Sequence, residues 1–191
     1  MARTVAIGHQ DFETIQRGQY FYIDKTKFIQ EWWEGGDSVT LITRPRRFGK
    51  TLTMSMVEKF FSINYAKKRE LFEGLSIWGE EKYQNLQGTF PVISLSFANV
   101  KERNYETTVQ RICQIVTELY NDNRFLLDGD LLSEEEKAYF RNISMDMPEV
   151  VATMSVHRLS KFLSQYYGKK VIILLDEYDT PMQEAYVNGF G

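Results

Sequence analysis

The sequence predicts an α/β fold with a parallel sheet, because strand-like and helix-like segments alternate along the chain. Residues 38–43 and 171–175 are apolar and rich in β-branched side chains, as in strands buried on both faces. Residues 91–97 alternate apolar and small polar side chains, which indicates another strand. Strands that are joined through helices pair in parallel, with the helices covering the sheet. We therefore expect a parallel sheet covered on both faces, in one domain over residues 1–191.

Segments in which apolar residues recur at helical spacing lie between these strands. A short helix precedes the first strand, and the glycine pair 35–36 closes it. Further helices are predicted around residues 52–61, around residues 109–120 after the second strand, and after Ser133 and around residues 159–166 before the third strand. Ser133 and Glu136 have capping-box spacing, and Gly168 is placed to end the last of these helices. The order of elements is therefore that of an α/β protein.

The composition disfavours several classes of protein. The net charge of −3 gives no basic field for nucleic acid. The longest apolar run, 171–175, is far shorter than the roughly 20 residues that cross a bilayer. Because the N-terminus also lacks a secretory pattern, we expect a cytoplasmic protein without a membrane partner. Cys113 is expected in the core, and the isolated His9 and His157 in packing or surface roles.

A Gly-Lys-Thr tripeptide, Gly49 to Thr51, lies between the first predicted strand and the following helix. Backbone N–H groups and the helix N-terminus form an anion site at such a junction, which is the context of a P-loop. The full P-loop pattern has glycine at the position of Arg44, so the segment departs from it there. Gly49 would admit phosphate, Lys50 would reach the β- and γ-phosphates, and Thr51 would offer its hydroxyl to Mg²⁺. The expected ATP-binding residues are Arg46, Arg47, Phe48, Gly49, Lys50, Thr51 and Leu52.

The third predicted strand delivers two acids, Asp176 and Glu177, at its carboxyl end. Asp176 would hold Mg²⁺, usually through water, together with Thr51. Glu177 is placed to activate a water against the γ-phosphate as general base, which makes Glu177 and Lys50 the expected catalytic residues. The alternative is that both acids only cap the next helix or bind solvent. A Gly-Lys-Thr motif followed along the chain by an Asp-Glu pair at a strand end predicts Mg-ATP binding.

These motifs resemble the AAA-ATPase-like family of bacterial P-loop proteins, whose members often carry a restriction-nuclease-like domain after the ATPase. The segments that carry the resemblance are 22–26 (Tyr-Ile-Asp-Lys-Thr), 43–51, 54–56, 71–75, 91–96 and 174–181. In this family the sequence 44–51 looks like the normal form of the phosphate loop. The resemblance implies a three-layer P-loop sandwich with an additional strand between the phosphate-loop strand and the Asp-Glu strand.

That additional strand should follow Asp176, but residues 178–191 contain no β-rich run. We therefore expect a chain truncated after the Asp-Glu (Walker B) strand, without the sensor strand, a trailing arginine or the nuclease-like domain. The gap between segments 39–42 and 171–175 is expected to be closed by a partner chain or exposed to water. Direct pairing of the two strands and insertion of residues 185–191 are the alternatives.

The predicted function is an ATPase module that couples Mg-dependent hydrolysis to an effector domain. The alternative is a nucleotide-dependent regulatory or binding module with little turnover. Nucleic-acid binding by Arg44, Arg46 and Arg47 and assembly into a homo-oligomer also stay open. A small-molecule kinase is less favoured, because Asp-Glu at a strand end suits activation of water.

Overall fold

The protein is described by a computed structural model that covers Thr4 and residues 8–43 and 49–189. Its residues group into two compact units, Met1–Val92 and Ile93–Gly191. This grouping concerns compactness alone, so the single domain expected over residues 1–191 stays a prediction.

The first unit is helical. Its helices are α1 (Phe12–Arg17), α2 (Lys27–Gly35), α3 (Lys50–Phe61) and α4 (Glu81–Leu86). Short 3-10 turns lie between α3 and α4, at Ile63–Tyr65, Arg69–Leu71 and Ser76–Gly79.

Aromatic packing holds this unit together. Phe12 of α1 stacks on Phe72 at a centroid separation of 5.1 Å, and Phe60 of α3 meets the same ring edge-on at 5.1 Å. All three side chains are fully buried. Aromatic pairs of this kind contribute about 0.5–1.5 kcal/mol each beyond the area that they bury. The cluster therefore fixes α3 against α1.

The second unit is built on a small sheet. Strand β1 (Val92–Ser96) begins at the boundary between the units, and α5 (Tyr105–Asp122), α6 (Glu134–Arg141), α7 (Glu149–Tyr167), β2 (Ile172–Asp176) and α8 (Thr180–Asn188) follow. A 3-10 turn, Arg124–Leu127, separates α5 from α6. The two strands pair in parallel, and the N–H of Phe97 donates to the carbonyl of Asp176 at 3.0 Å.

Helices cover one face of this sheet. Ile93 and Leu95 of β1 pack into the same buried cluster as residues of α5, α6 and α7. On β2, Leu174 is buried, whereas Ile173 and Leu175 are 43% and 45% exposed. The expectation of helices on both faces is therefore wrong for β2 in the described structure.

Local sequence signals located most elements correctly. The helices predicted around residues 28–33, 52–61, 109–120 and 159–166 and after Ser133 are confirmed as α2, α3, α5, α7 and α6, and the strands predicted at 91–97 and 171–175 as β1 and β2. The Ser133 capping box is confirmed as well, since both of its reciprocal hydrogen bonds form. Gly168 ends α7 with a φ of 63°, as its position predicted, and Cys113 is buried.

The strand predicted over residues 38–43 is wrong. The segment is irregular, and Val39 and Leu41 are 88% and 63% exposed. A strand exists through ladder hydrogen bonds to a neighbour, and within the described residues the sheet consists of β1 and β2 alone. The fold is accordingly α/β with a two-stranded parallel sheet and many helices, without the three layers of the expected sandwich among the described residues. Residues 185–188 belong to α8, so insertion of the tail as a strand is wrong too.

Candidate nucleotide site

The predicted phosphate loop leads directly into helix α3. Gly49 precedes the helix with φ 75°, in the left-handed region that glycine adopts without strain. The first helical hydrogen bond runs from the N–H of Thr53 to the carbonyl of Gly49, at 2.9 Å. The N–H groups of the residues before Thr53 therefore have no acceptor within the helix. Lys50, Thr51 and Leu52 lie in this first turn and are half-buried.

The charge at this helix start suits an anion. No side chain among the described residues caps the helix, and its first turn contains no acidic residue. Instead it carries Lys50, although a cation at the positive end of a helix is disfavoured unless a negative charge offsets it. Helix α6 shows the usual arrangement, with the Ser133 cap and three glutamates in its first turn. A phosphate bound at Gly49 would supply the negative charge that α3 lacks.

Three of the expected ATP-binding residues, Arg46, Arg47 and Phe48, lie outside the described residues, and so does Arg44. Their roles therefore stay predictions. Gly49, Lys50, Thr51 and Leu52 are brought together at one helix end, as the motif requires.

Helix α3 is anchored to α1 by a partly buried ion pair. The ammonium group of the buried Lys59 lies 2.7 Å from the Asp11 carboxylate, which also accepts a hydrogen bond from the Ser55 hydroxyl at 3.1 Å. Burial by itself would raise the pKa of Asp11, but hydrogen bonds from Lys59 and Thr14 outweigh it and lower this pKa to about 2. Asp11 is therefore ionised at neutral pH, and the pair fixes the helix that carries the candidate site.

The sequence motifs do not point to Lys25 as a site residue. Its ammonium nitrogen would lie 3.1 Å from a Cβ built on Gly49, so it stands beside the start of α3. Residues 22–26 carry part of the family resemblance, but their sequence predicts no role in a site. Their position directly before α2, far from the phosphate loop along the chain, offered no further signal.

The two predicted acids lie at the end of β2, in the second unit. Asp176 is half-buried and Glu177 is exposed. Glu177 has a φ of 50°, which is unusual for a residue with a side chain and costs on the order of 1–3 kcal/mol. Strain of this kind is concentrated at functional sites, so it is consistent with a role for Glu177.

Glu177 also contacts the next helix. Its carbonyl accepts a hydrogen bond from the N–H of Thr180 at 3.0 Å, and its carboxylate accepts one from the Thr180 hydroxyl at 3.2 Å. The first turn of α8 thus uses Glu177, as the alternative interpretation of this acid expected. These two contacts are compatible with a catalytic role, because the carboxylate is exposed and retains acceptor capacity.

The oxygen ligands expected for Mg²⁺ are chemically suitable. A threonine hydroxyl and a carboxylate are hard donors, which Mg²⁺ prefers, and Mg²⁺ commonly keeps several waters and phosphate oxygens as further ligands. In the part of the chain that the structure describes, no group of three or more histidine, cysteine or acidic side chains is placed to hold a metal by itself. Thr51 and Asp176, each taken by itself, supply an oxygen donor of this kind.

Comparison with known proteins identifies the family. The family described as Predicted AAA-ATPase matches residues 6–189, so the chain belongs to that family. A protein of Azotobacter chroococcum mcd 1, described as "Uncharacterized protein in vnfD 5'region", is 28% identical over 181 residues. The match covers 94% of this chain but 30% of that protein, so the chain spans less than a third of the curated relative's length. No solved structure matches the chain. Among the described residues, no helix has the length and apolar character of a membrane span.

Proposed function

We propose that this chain is an ATP-binding, AAA-like ATPase module that binds Mg-ATP at the start of α3. The observation that carries the proposal is the combination of Gly49 in the left-handed conformation with a first helical turn that contains Lys50, has no acidic residue and is not capped by a side chain of the described residues. Membership of the predicted AAA-ATPase family supports the same ligand.

Each residue of the helix start has a distinct role in this proposal. The free N–H groups of the first turn donate to phosphate oxygens, with Gly49 allowing close approach of the backbone. Lys50 donates charge-assisted hydrogen bonds to the terminal phosphates. Arg46, Arg47, Phe48 and Leu52 complete the nucleotide contacts. Bound Mg²⁺ would neutralise phosphate charge, and Thr51 and Asp176 are the side chains proposed to hold it.

The proposed reaction is hydrolysis of ATP, with Glu177 as the general base that takes a proton from the attacking water. In the whole protein, hydrolysis would be coupled to an effector domain. A nucleotide-dependent regulatory module with little turnover is the second candidate. The hydrogen bond between the Glu177 carboxylate and the Thr180 hydroxyl favours it, because it gives this acid a structural use.

Substitution of Lys50 tests the binding site. Lys50→Ala removes the cation that faces the phosphates, and hydrogen bonds to charged groups contribute about 1.5–3 kcal/mol, so ATP affinity should fall roughly 10- to 100-fold. Calorimetric titration with Mg-ATP measures the change. Lys67→Ala, at an exposed lysine of the same unit, is the matched control and should bind ATP normally. Equal affinity of the Lys50 variant and this control would contradict the assigned site.

A further inference from the structure

Segment 22–26 is held rigidly on two sides. The Asp24 carboxylate accepts hydrogen bonds from the N–H and the hydroxyl of Thr26, at 2.8 and 2.7 Å, and from the N–H of Ser76 at 2.7 Å. Burial would raise the pKa of Asp24, but these hydrogen bonds outweigh it and lower this pKa, so the acceptor stays ionised. Thr26 is fully buried, and its hydroxyl accepts a hydrogen bond from the N–H of Ile77 at 3.1 Å. The segment is thereby fastened to the turn Ser76–Gly79.

The other side of the segment is tied to α3. The Tyr22 hydroxyl donates to the sulfur of Met56 at 3.2 Å, and it accepts a hydrogen bond from the N–H of Lys25 at 3.4 Å. Met56 is fully buried and lies on the helix that begins at Lys50. The backbone of Lys25 is therefore fixed relative to the start of α3.

The Lys25 side chain extends from this anchored backbone toward Gly49. Its ammonium nitrogen lies 3.1 Å from the position of a Cβ on Gly49. Within the described residues, this ammonium group forms no ion pair or hydrogen bond. The neighbouring carboxylate of Asp24 forms its hydrogen bonds with Thr26 and Ser76 and none with this ammonium group.

This arrangement brings two sources of positive charge to the start of α3. The ammonium group of Lys25 and the positive end of α3 meet at Gly49, and Lys50 adds a second cation in the first helical turn. The ammonium group of Lys25 and the positive end of the helix repel each other, and an anion bound at Gly49 would relieve this repulsion. A half-buried lysine side chain on a backbone that is hydrogen-bonded to Tyr22 is suited to a phosphate ligand.

We propose that Lys25 is a second phosphate-binding lysine of the nucleotide site, donating from its ammonium group to the phosphate chain held at Gly49. The inference rests on the proposed function, since it adds a residue to the same site. It also gives segment 22–26 a role: Asp24, Thr26 and Tyr22 position the backbone from which Lys25 reaches the phosphates.

The test compares Mg-ATP and adenosine binding in single variants. Lys25→Met retains the aliphatic stem but removes the charge, so ATP affinity should fall about tenfold while adenosine affinity is unchanged. Lys25→Arg keeps a cation and should restore most of the ATP affinity. Lys27→Met is the matched control, because Lys27 is exposed and pairs weakly with Glu31 at 3.7 Å, and it should bind ATP normally.

A second measurement does not depend on folding of the variants. In the unmodified chain, Mg-ATP should protect Lys25 from an amine-acylating reagent, as detected by mass spectrometry, and should leave Lys27 reactive. If Lys50→Ala loses ATP binding while Lys25→Met matches Lys27→Met and Lys25 is not protected, the inference is overturned and the proposed function stands. If the unmodified chain does not bind ATP, both are overturned.

Discussion

Single residues of the candidate site depart from ordinary backbone preferences. Gly49 adopts a left-handed conformation that its lack of a side chain permits. Glu177 adopts the same region with a side chain, at φ 50°, and so does Gln19. Glycine at position 177 or at position 19 would relieve this strain. Substitutions at the two positions can therefore be compared to separate effects on stability from effects on function.

We expect substitutions of Glu177 to affect ATP hydrolysis without lowering stability. Glu177→Gln and Glu177→Gly should both retain ATP binding and, because removal of a general base costs about 10²–10⁴ in rate, lose hydrolysis in any form of the protein that shows it. Glu177→Gly should leave the midpoint temperature of unfolding unchanged or raise it. Gln19→Gly should affect this midpoint in the same way but should leave hydrolysis intact. Phosphate release and thermal unfolding measure the two effects.

Asp176→Asn, at the same strand end, is compared with Glu177→Gln to separate metal binding from catalysis. Loss of the proposed metal anchor should weaken ATP binding only when Mg²⁺ is present. Identical binding defects in Asp176→Asn and Glu177→Gln would contradict the separate roles proposed for the two acids.

At the scale of elements, the α1–α3 contact positions the candidate site. The buried Lys59 pairs with Asp11, the N-cap residue of α1, and Phe12 and Phe60 of the two helices both pack on Phe72. Removal of one partner from a buried pair leaves the other charge uncompensated. The Asp11 side chain is 45% exposed, however, so solvent screens the interaction and its contribution is modest.

We expect the contribution of Asp11 to stability to depend on pH. Its pKa lies at about 2 in the folded chain, below the ordinary value of 3.8, so the stabilisation is complete above 3.8 and is lost as the pH falls through about 2. Asp11→Asn should therefore lower the free energy of unfolding by about 1 kcal/mol near neutral pH, and this difference should shrink in acid. Denaturant titrations over the acid range measure it. Asp130→Asn, at an exposed acid, should show no such dependence; a constant difference for Asp11→Asn would refute the assignment.

At the scale of the whole chain, ligand binding and stability are linked. A ligand that binds only the folded state stabilises it by about 2.7 kcal/mol at 100 times its dissociation constant. For a chain of this size we therefore expect saturating Mg-ATP to raise the thermal midpoint by roughly 5–10 °C. Differential scanning calorimetry tests this, with Lys50→Ala as the variant that should lose the shift and Lys67→Ala as the one that should keep it. A shift that persists in Lys50→Ala would place the nucleotide elsewhere.

The sequence by itself determined the features that depend on near neighbours along the chain. Helix α5 follows from apolar residues at helical spacing, the start of α6 from the Ser133–Glu136 capping box, and the end of α7 from Gly168. The Gly-Lys-Thr tripeptide likewise predicted a helix start, and in α3 the N–H groups before Thr53 have no acceptor within the helix. These signals act within a few residues, so they can be recognised without the fold.

Tertiary structure alone decided the features that depend on distant residues. Residues 38–43 have the composition of a buried strand, yet they form no ladder with the described residues, because strand formation requires a paired neighbour as well as propensity. Lys25 and Gly49 are far apart in sequence. The neighbours of Lys25 hold it beside the glycine, since Asp24 is hydrogen-bonded to Ser76 and Tyr22 to Met56. The physical reason is that such proximity is set by packing between elements, which no local sequence pattern records.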